Sequence, residues 1–395
     1  MIESSTIPEG WSQVPLEGCV EILDHMRVPV NSDERYGRQG LVPYYGANGL
    51  QGYIDKAIFN EPLILMAEDG GFFDEYATRP IAYKIDGPSW VNNHAHVLRP
   101  KDGHVLDYLF AQLVHKDIRR YILGGTRAKL NQSELRRIQV LRAPLDEQRR
   151  IAAILDVSEA TIRATEAVIE KLRLERKGIV LRLMAEAEGT ERITLGALLD
   201  RDGGTIQTGP FGSQLHSWEY QREGIPVVMP QDIDLEWDHI SPEKVARISQ
   251  RRANDLSRHA MAPGDIVFAR RGDLIRAATI AESRRGWLCG TGCFLLRTVG
   301  VAINPKWLVM AYRSPTVQRQ VSIEATGTTM PNLNGTIMRG LRLTVPKRDR
   351  QDQVVQIIEA ATTGINSEQD KLDKLRLQHQ GLLHDLLTGT VRTHA

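Results

Sequence analysis

Only three cysteines, Cys19, Cys289 and Cys293, occur in the 395 residues. So few exclude a disulfide framework, and Cys289 with Cys293 lack the second Cys or His pair that a structural zinc site needs. Long hydrophobic runs are missing too: no stretch approaches the ~18 apolar residues of a membrane-spanning helix. The opening "MIESSTIPEGWSQ" has no basic segment followed by an apolar one, so a soluble, cytoplasmic protein is expected. No GxxxxGK[ST] phosphate loop is present, which argues against a motor ATPase. Nor is there an excess of one charge. Lys and Arg number 50 against 49 Asp and Glu, whereas a protein that grips nucleic acid unaided is usually more basic.

What the chain has instead is a duplication. "KLRLERKGIVLRLM" (171–184) returns as "KLRLQHQGLLHDLL" (374–387), with Gly178 and Gly381 keeping their place inside a helical pattern where glycine costs roughly 1 kcal/mol. The match extends outward. "GGTRAKLNQSELRRIQVLRAPLDEQRRIAAIL" (124–155) aligns with "GTTMPNLNGTIMRGLRLTVPKRDRQDQVVQII" (327–358), pairing Leu130-Asn131 with Leu333-Asn334 and Gln148 with Gln351. "ILMAEDG" (64–70) aligns with "IVFARRG" (266–272). Each half therefore runs from a globular region into a long helix.

The globular regions read as mixed α and β. "PLILMA", "RPIAYKI", "DIVFAR" and "GCFLLRT" are short apolar runs bounded by Gly, Asp and Pro, as strands are. "HVLDYLFAQLVHKDIRRYI" and "NPKWLVMAYRSPTVQRQVSI" predict one helix per half, and Pro305 in "NPKW" suits the first helical turn. After Pro144, with Asp146 as N-cap, apolar residues recur at heptad spacing: Leu155, Ile162, Ile169 and Leu183 in one column, Ile151, Leu172 and Ile179 in the other. The second copy offers Ile358, Ile365, Leu372 and Leu386 with Val354, Leu375 and Leu382. Such a seam needs a partner, and the duplicate is the nearest one. About 40 helical residues span roughly 60 Å. The expected fold is α+β: two mixed α/β heads separated by two long antiparallel coiled-coil helices, with an internal pseudo-two-fold repeat.

Two similar heads on helical spacers suit a split target, and duplex DNA presents paired half-sites about 34 Å apart. The charge is divided unevenly between them. Residues 1–146 hold 16 Lys and Arg against 19 Asp and Glu, a net of −3, while 191–346 hold 19 against 15, a net of +4.

The text "GPFGSQLHSWEYQREGIPVVMPQDI" (209–233), "GDIVFARRGDLIRAATI" (264–280), "LCGTGCFLLRT" (288–298), "TGTTMPNLN" (326–334) and "PLDEQRRIAAIL" (144–155) resembles the specificity (S) subunit of type I restriction-modification enzymes over nearly the whole chain. "LVPYYGANGLQGYIDKAIF" (41–59) is similar to another variant of that family's target recognition domain. The resemblance implies a target recognition domain at 1–145, a first conserved helix at 146–188, a second target recognition domain at 189–346, and a second helix with its tail at 347–395. It also implies a non-catalytic subunit that reads a bipartite, gapped site in double-stranded DNA and docks two modification subunits. S-adenosylmethionine would sit on those subunits, and ATP and Mg on restriction subunits that join for cleavage. The chain itself would need no cofactor. The rival reading is a non-catalytic coiled-coil scaffold of a multiprotein complex.

Candidate DNA contacts follow from residue chemistry. Glu68-Asp69 and Arg270-Arg271 occupy one repeat position at a strand end before a glycine. Arginine can grip guanine or phosphate and a carboxylate can accept from cytosine, although Arg270 can equally pair with Asp273 or Asp265. Arg276 lies on the same segment. "YYGANG" offers Tyr44, Tyr45 and Asn48, with a core edge as the alternative for the tyrosines. "GPFGSQLH" offers Ser213 and Gln214, with Phe211 expected as a core plug. Asn131 and Asn334 read as turn or cap residues.

Overall fold

The computed structural model describes residues 7–124, 128–185, 191–235, 238–242, 245–299, 302–325 and 331–393. The chain divides into two compact units, Met1–Ala167 with Gln369–Ala395, and Val168–Glu368. Each holds one head and part of each long helix. Parts of the repeated "GGTRAKLN" and "TGTTMPNLN" segments lie outside the described residues.

In the first unit, Ser12–Pro15 pairs antiparallel with Gln139–Arg142, the strand that leads into the first long helix. A four-stranded sheet follows in the order Val20–Ile22, Ala95–Pro100, Leu63–Ala67, Ala82–Ile85. Leu63–Ala67 is buried at all five positions, which is why its sequence is an unbroken apolar run rather than an alternation. A second sheet is built on Val42–Gly46, antiparallel to Gly49–Ile54 and parallel to Pro88–Val91. The second unit repeats the plan. Glu191–Thr194 pairs with Arg342–Val345, and a sheet runs Thr205–Thr208, Cys293–Arg297, Ile266–Ala269, Ala277–Thr279. Ile225–Val228 is antiparallel to Ala246–Ile248 and parallel to Leu288–Cys289.

Two details differ from expectation. "NPKWLVMAYRSPTVQRQVSI" forms two helices, Pro305–Tyr312 and Pro315–Glu324, because Pro315 cannot continue the first and Ser314 caps the second by accepting from Val317 N. The first long helix spans Leu145–Ala185, so Asp146 lies in its first turn, where it opposes the positive end of the helix dipole, and does not cap it. Pro305 of "NPKW" opens the helix as expected, and Asn304 before it is the cap, accepting from Lys306 N and Trp307 N.

The second long helix is Arg348–Thr388. Within the first unit it packs against the first helix in the antiparallel sense, with Ile151 and Leu155 clustered on Leu386. Within the second, Val354 and Ile358 cluster with Ile179 and Leu183. The polar residues that interrupt the heptads find polar partners. His379 Nδ1 lies 3.0 Å from Ser158 Oγ in the first unit, and Arg176 Nε donates to Thr362 Oγ1 at 2.9 Å in the second.

A duplicated clasp joins each head to its helix. Gln148 is buried; its Oε1 accepts from Val105 N at 3.0 Å, and its Nε2 donates to Ala143 O at 2.8 Å and Gly103 O at 3.3 Å. Gln351, equally buried, accepts from Asn304 N at 2.8 Å and donates to Pro346 O and Ala302 O at 3.0 Å. One amide thus satisfies the turn before the long helix and the start of the head's own helix. Replacing either glutamine by leucine leaves one buried and two part-buried backbone bonds unmade and is expected to cost roughly 2–5 kcal/mol in chemical denaturation. A loss under about 1 kcal/mol would mean that water replaces the clasp.

Candidate nucleic-acid interface

The strand ends at Ala67 and Ala269 carry the chemistry that distinguishes the heads. At both, the next residue's carbonyl accepts from a leucine of the repeated Leu-Asn pair: Leu130 N to Glu68 O at 2.7 Å, and Leu333 N to Arg270 O at 3.0 Å. The leucine's own carbonyl is capped differently. His96 Nε2 lies 2.7 Å from Leu130 O in the first head, whereas Arg270 Nε donates to Leu333 O at 2.9 Å in the second. The asparagines that follow begin short helices as their N-caps, and Asn334 accepts from Ile337 N.

Around Glu68 stands an internal ionic network. Its carboxylate is 2.6 Å from Arg27 and 3.0 Å from Lys129, while Asp24 is 2.6 Å from His96 Nδ1 and Asp69 is 2.6 Å from His94. Burial pushes the Asp24 carboxyl up, but hydrogen bonds from His96 and Val97 N and the charges of His96 and Arg27 outweigh it and hold the group below its ordinary range. Glu68 is likewise held low, its burial outweighed by Arg27 and Lys129. Donor atoms of Asp24, Glu68 and His96 lie within 4.8 Å of one another, a spacing that could admit a metal ion, yet Arg27 and Lys129 already supply the positive charge. Glu68 is therefore engaged within the head, because a half-buried carboxylate at a strand end requires such partners. Sequence reasoning missed this network, whose members come from separate segments with no diagnostic spacing.

In the second head Arg270 is half-buried. It pairs with neither Asp273 nor Asp265; its guanidinium sits 5.8 Å from the Phe211 ring centroid and 6.0 Å from that of Phe294, and burial lowers its pKa. Arg271, beside it, is exposed. Arg276 is turned inward to the Ile233 carbonyl and to Asp273 at 3.2 Å. Phe211 is 51% exposed and covers Arg270 instead of plugging the core. Its loop is nonetheless fixed: Gln214 Oε1 accepts from Phe211 N at 3.1 Å, and a Cβ on Gly209 would lie 1.9 Å from Gly290 O, so only glycine fits there. Ser213 is exposed at the tip.

Tyr44 belongs to the core and not to a surface. It is 2% exposed on the inward side of its strand, and its hydroxyl donates to Val30 O at 3.1 Å. Tyr45, on the opposite face as strand alternation requires, is half-buried 5.9 Å from the Tyr83 ring. Asn48 is exposed and donates to Gly70 O at 2.9 Å, tying the hairpin turn to the loop after Asp69. Of the predicted contacts, Arg271, Ser213 and Asn48 are exposed, Asp69, Tyr45 and Gln214 are part-exposed, and Tyr44, Glu68, Arg270 and Arg276 serve the head's own structure.

Residues 8–174 match the type I restriction modification DNA specificity domain. Over that stretch the chain resembles the specificity proteins of type I restriction-modification systems. A putative type I restriction enzyme specificity subunit of Haemophilus influenzae is 33% identical over 147 residues, 37% of this chain and 37% of that one. The MjaVIII specificity subunit of Methanocaldococcus jannaschii is 20% identical over 98% of this chain and 94% of its own. The S subunit of the type I system of M. genitalium shares the fold at a TM-score of 0.57 and 15% identity, covering 98% of both chains. The family match ends within the first long helix; beyond it, the second head repeats the strand order of the first.

Two outcomes follow from the partners of these strand-end residues. Asp24 and Glu68 titrate below their unfolded values, so the stability they confer is complete at neutral pH and is lost as pH falls below about 4, through the folded values. Acid unfolding followed by hydrogen exchange should therefore open the first head early, and Asp24→Asn should flatten its acid dependence. Arg270→Ala should cost about 1–2 kcal/mol in stability through the unpaired Leu333 carbonyl, while exposed Arg271→Ala should stay within about 0.5 kcal/mol of the parent. Equal effects would contradict this division of roles.

Proposed function

We propose that the chain is the DNA-reading subunit of a type I restriction-modification complex, each head reading one half of a bipartite, gapped duplex site. It makes no bond itself. Two modification subunits would dock on the long helices and carry adenine-N6 methylation with S-adenosylmethionine, and restriction subunits with ATP and Mg would join for cleavage. The observation that carries this reading is one strand order used twice with opposite charge on the accessible residue of the same strand end: part-exposed Asp69 in one head, exposed Arg271 in the other. A scaffold would have no use for such divergence on a conserved frame, whereas two different half-sites require it.

The helices support the docking of two like partners. Leu174 and Leu377, equivalent in the repeat, are each 70% exposed. Gly178 and Gly381 follow one turn later on the same face, and a Cβ on either would meet nothing within 4 Å, so packing within the chain does not explain why they are glycines. A partner helix in close approach does. Gly178→Ala and Gly381→Ala should raise the chain's own stability by roughly 0.5–1 kcal/mol each, and Gly178→Leu with Gly381→Leu should weaken capture of the modification subunit in a titration. Unimpaired capture would place docking elsewhere.

Selection from random duplexes by the chain with its modification subunit tests the whole reading. A gapped two-part motif is expected; recovery of no motif favours the scaffold, and methyl transfer by the chain alone favours an enzyme. On the selected duplex, Arg271→Ala should cost about 1–3 kcal/mol, with preference lost at one base pair if it touches a base and a shallower salt slope if it touches phosphate. Unchanged binding removes Arg271 from the interface.

A further inference from the structure

Two aromatic side chains stand out in water. Tyr36 is 82% exposed and Trp218 is 78% exposed, although an aromatic ring ordinarily contributes roughly 150–250 Å² to a buried surface. Single exposed apolar residues are common, but these two hold the same place in the fold. Tyr36 lies in the connection from Val20–Ile22 to Val42–Gly46, and Trp218 in the connection from Thr205–Thr208 to Ile225–Val228. The two connections, 23–41 and 209–224, share no sequence pattern. Copying of the repeat does not account for an exposed aromatic in both.

Each ring is mounted on a braced loop. Trp218 stacks on His216 with centroids 5.6 Å apart and planes 10° from parallel. The Glu219 carboxylate accepts from His216 N at 2.6 Å and pairs with Arg252 at 2.6 Å, and Arg252 also donates to Gln214 O. Exposed Arg222 lies four residues beyond the tryptophan. Tyr36 ends the short helix Ser32–Tyr36, whose first turn is capped by Asn31 accepting from Glu34 N at 2.8 Å. The arginines on either side brace it: Arg35 lies 4.7 Å from the Tyr44 ring centroid, and Arg38 lies 4.6 Å from that of Trp90 and 2.9 Å from Asp55. In both heads the loop is anchored by its neighbours while the aromatic is left in water.

We propose that Trp218 and Tyr36 are base-stacking residues, one per head, that press against bases of the half-site their head reads. This rests on the DNA-reading function proposed above and adds the means by which each head distorts or grips its half-site. A held ring has few rotamers to lose on contact, every base has a face for it to stack on, and an apolar wedge at a base step unstacks the duplex locally. Stacking is insensitive to base identity, so it fits two heads that otherwise read different sequences.

The test uses the full complex of the chain with its modification subunit and the duplex it selects, with 2-aminopurine placed in turn at each position of both half-sites. The intact complex is expected to raise the fluorescence of the probe at one step in each half-site. Trp218→Ala should abolish the rise in the second head's half-site alone and weaken binding by roughly five- to hundredfold, with Trp218→Phe retaining most of both; Tyr36→Ala should do the same in the other half. Both side chains are exposed, so the melting temperature should not move. Trp218→Ala with unaltered affinity and unaltered fluorescence overturns the proposal, as does weaker binding with the probe signal intact, which would mean a contact to backbone or to protein. If the intact complex selects no duplex, the DNA-reading function falls first and this inference with it.

Discussion

A single buried amide, used twice, is what the rest of the architecture depends on. A long helix that starts directly after a sheet strand leaves the carbonyl of a residue just before it without a ladder partner, and the head's own helix begins alongside with an N–H that no helical carbonyl reaches. Gln148 and Gln351 meet both needs, each joining the residue five positions back to the start of the head's helix. With the helix start fixed, the heptad residues Ile151 and Leu155, or Val354 and Ile358, are presented to the seam. In the first unit a second buried group adds to this: Glu147 accepts from Trp11 Nε1 at 2.9 Å and pairs with Arg392 at 2.8 Å, tying both ends of the chain to the same helix turn.

Because the clasp and the strand order are shared, the heads are free to differ elsewhere. The carbonyl of the repeated leucine has to be capped in each. A histidine from a neighbouring strand caps it in one head and an arginine at the strand end caps it in the other. That choice then fixes the local electrostatics. His96 brings Asp24, Glu68 and Arg27 into a compensated network, while Arg270 is covered by Phe211 and Arg271 beside it is exposed, with no ion pair among the described residues. The net charges of the two heads, −3 for residues 1–146 and +4 for 191–346, run in the same direction.

How much of this could be read from the amino acids alone depended on whether the signal was periodic. The duplication, the buried strands at 63–67 and 266–269, the heptad seam and the helix-start role of Pro305 were all legible, because each follows from local spacing or helix-start chemistry. The break at Ser314-Pro315 was legible in principle, since proline after serine is a start signal, but an uninterrupted apolar pattern ran across it. Individual contacts were much less so. Tyr44 and Tyr45 are adjacent and chemically alike, and strand alternation alone sends the first into the core and leaves the second half-buried. Phe211 looked like a core residue because phenylalanine usually is one, and nothing in its own loop reveals Arg270 beneath it. Glu68 and Arg270 looked available because their partners, Arg27 and Leu333, come from distant segments.

The central proposal is that each head would read DNA by itself on a shared frame, joined through its own glutamine clasp. Exchange of residues 191–346 for the corresponding head of a type I specificity subunit, leaving both long helices in place, tests it most directly when methylated sites are mapped across a genome. The account predicts that one half of the recognised motif changes to that of the donor and the other half stays as it was. A change in both halves, or in neither, would contradict it.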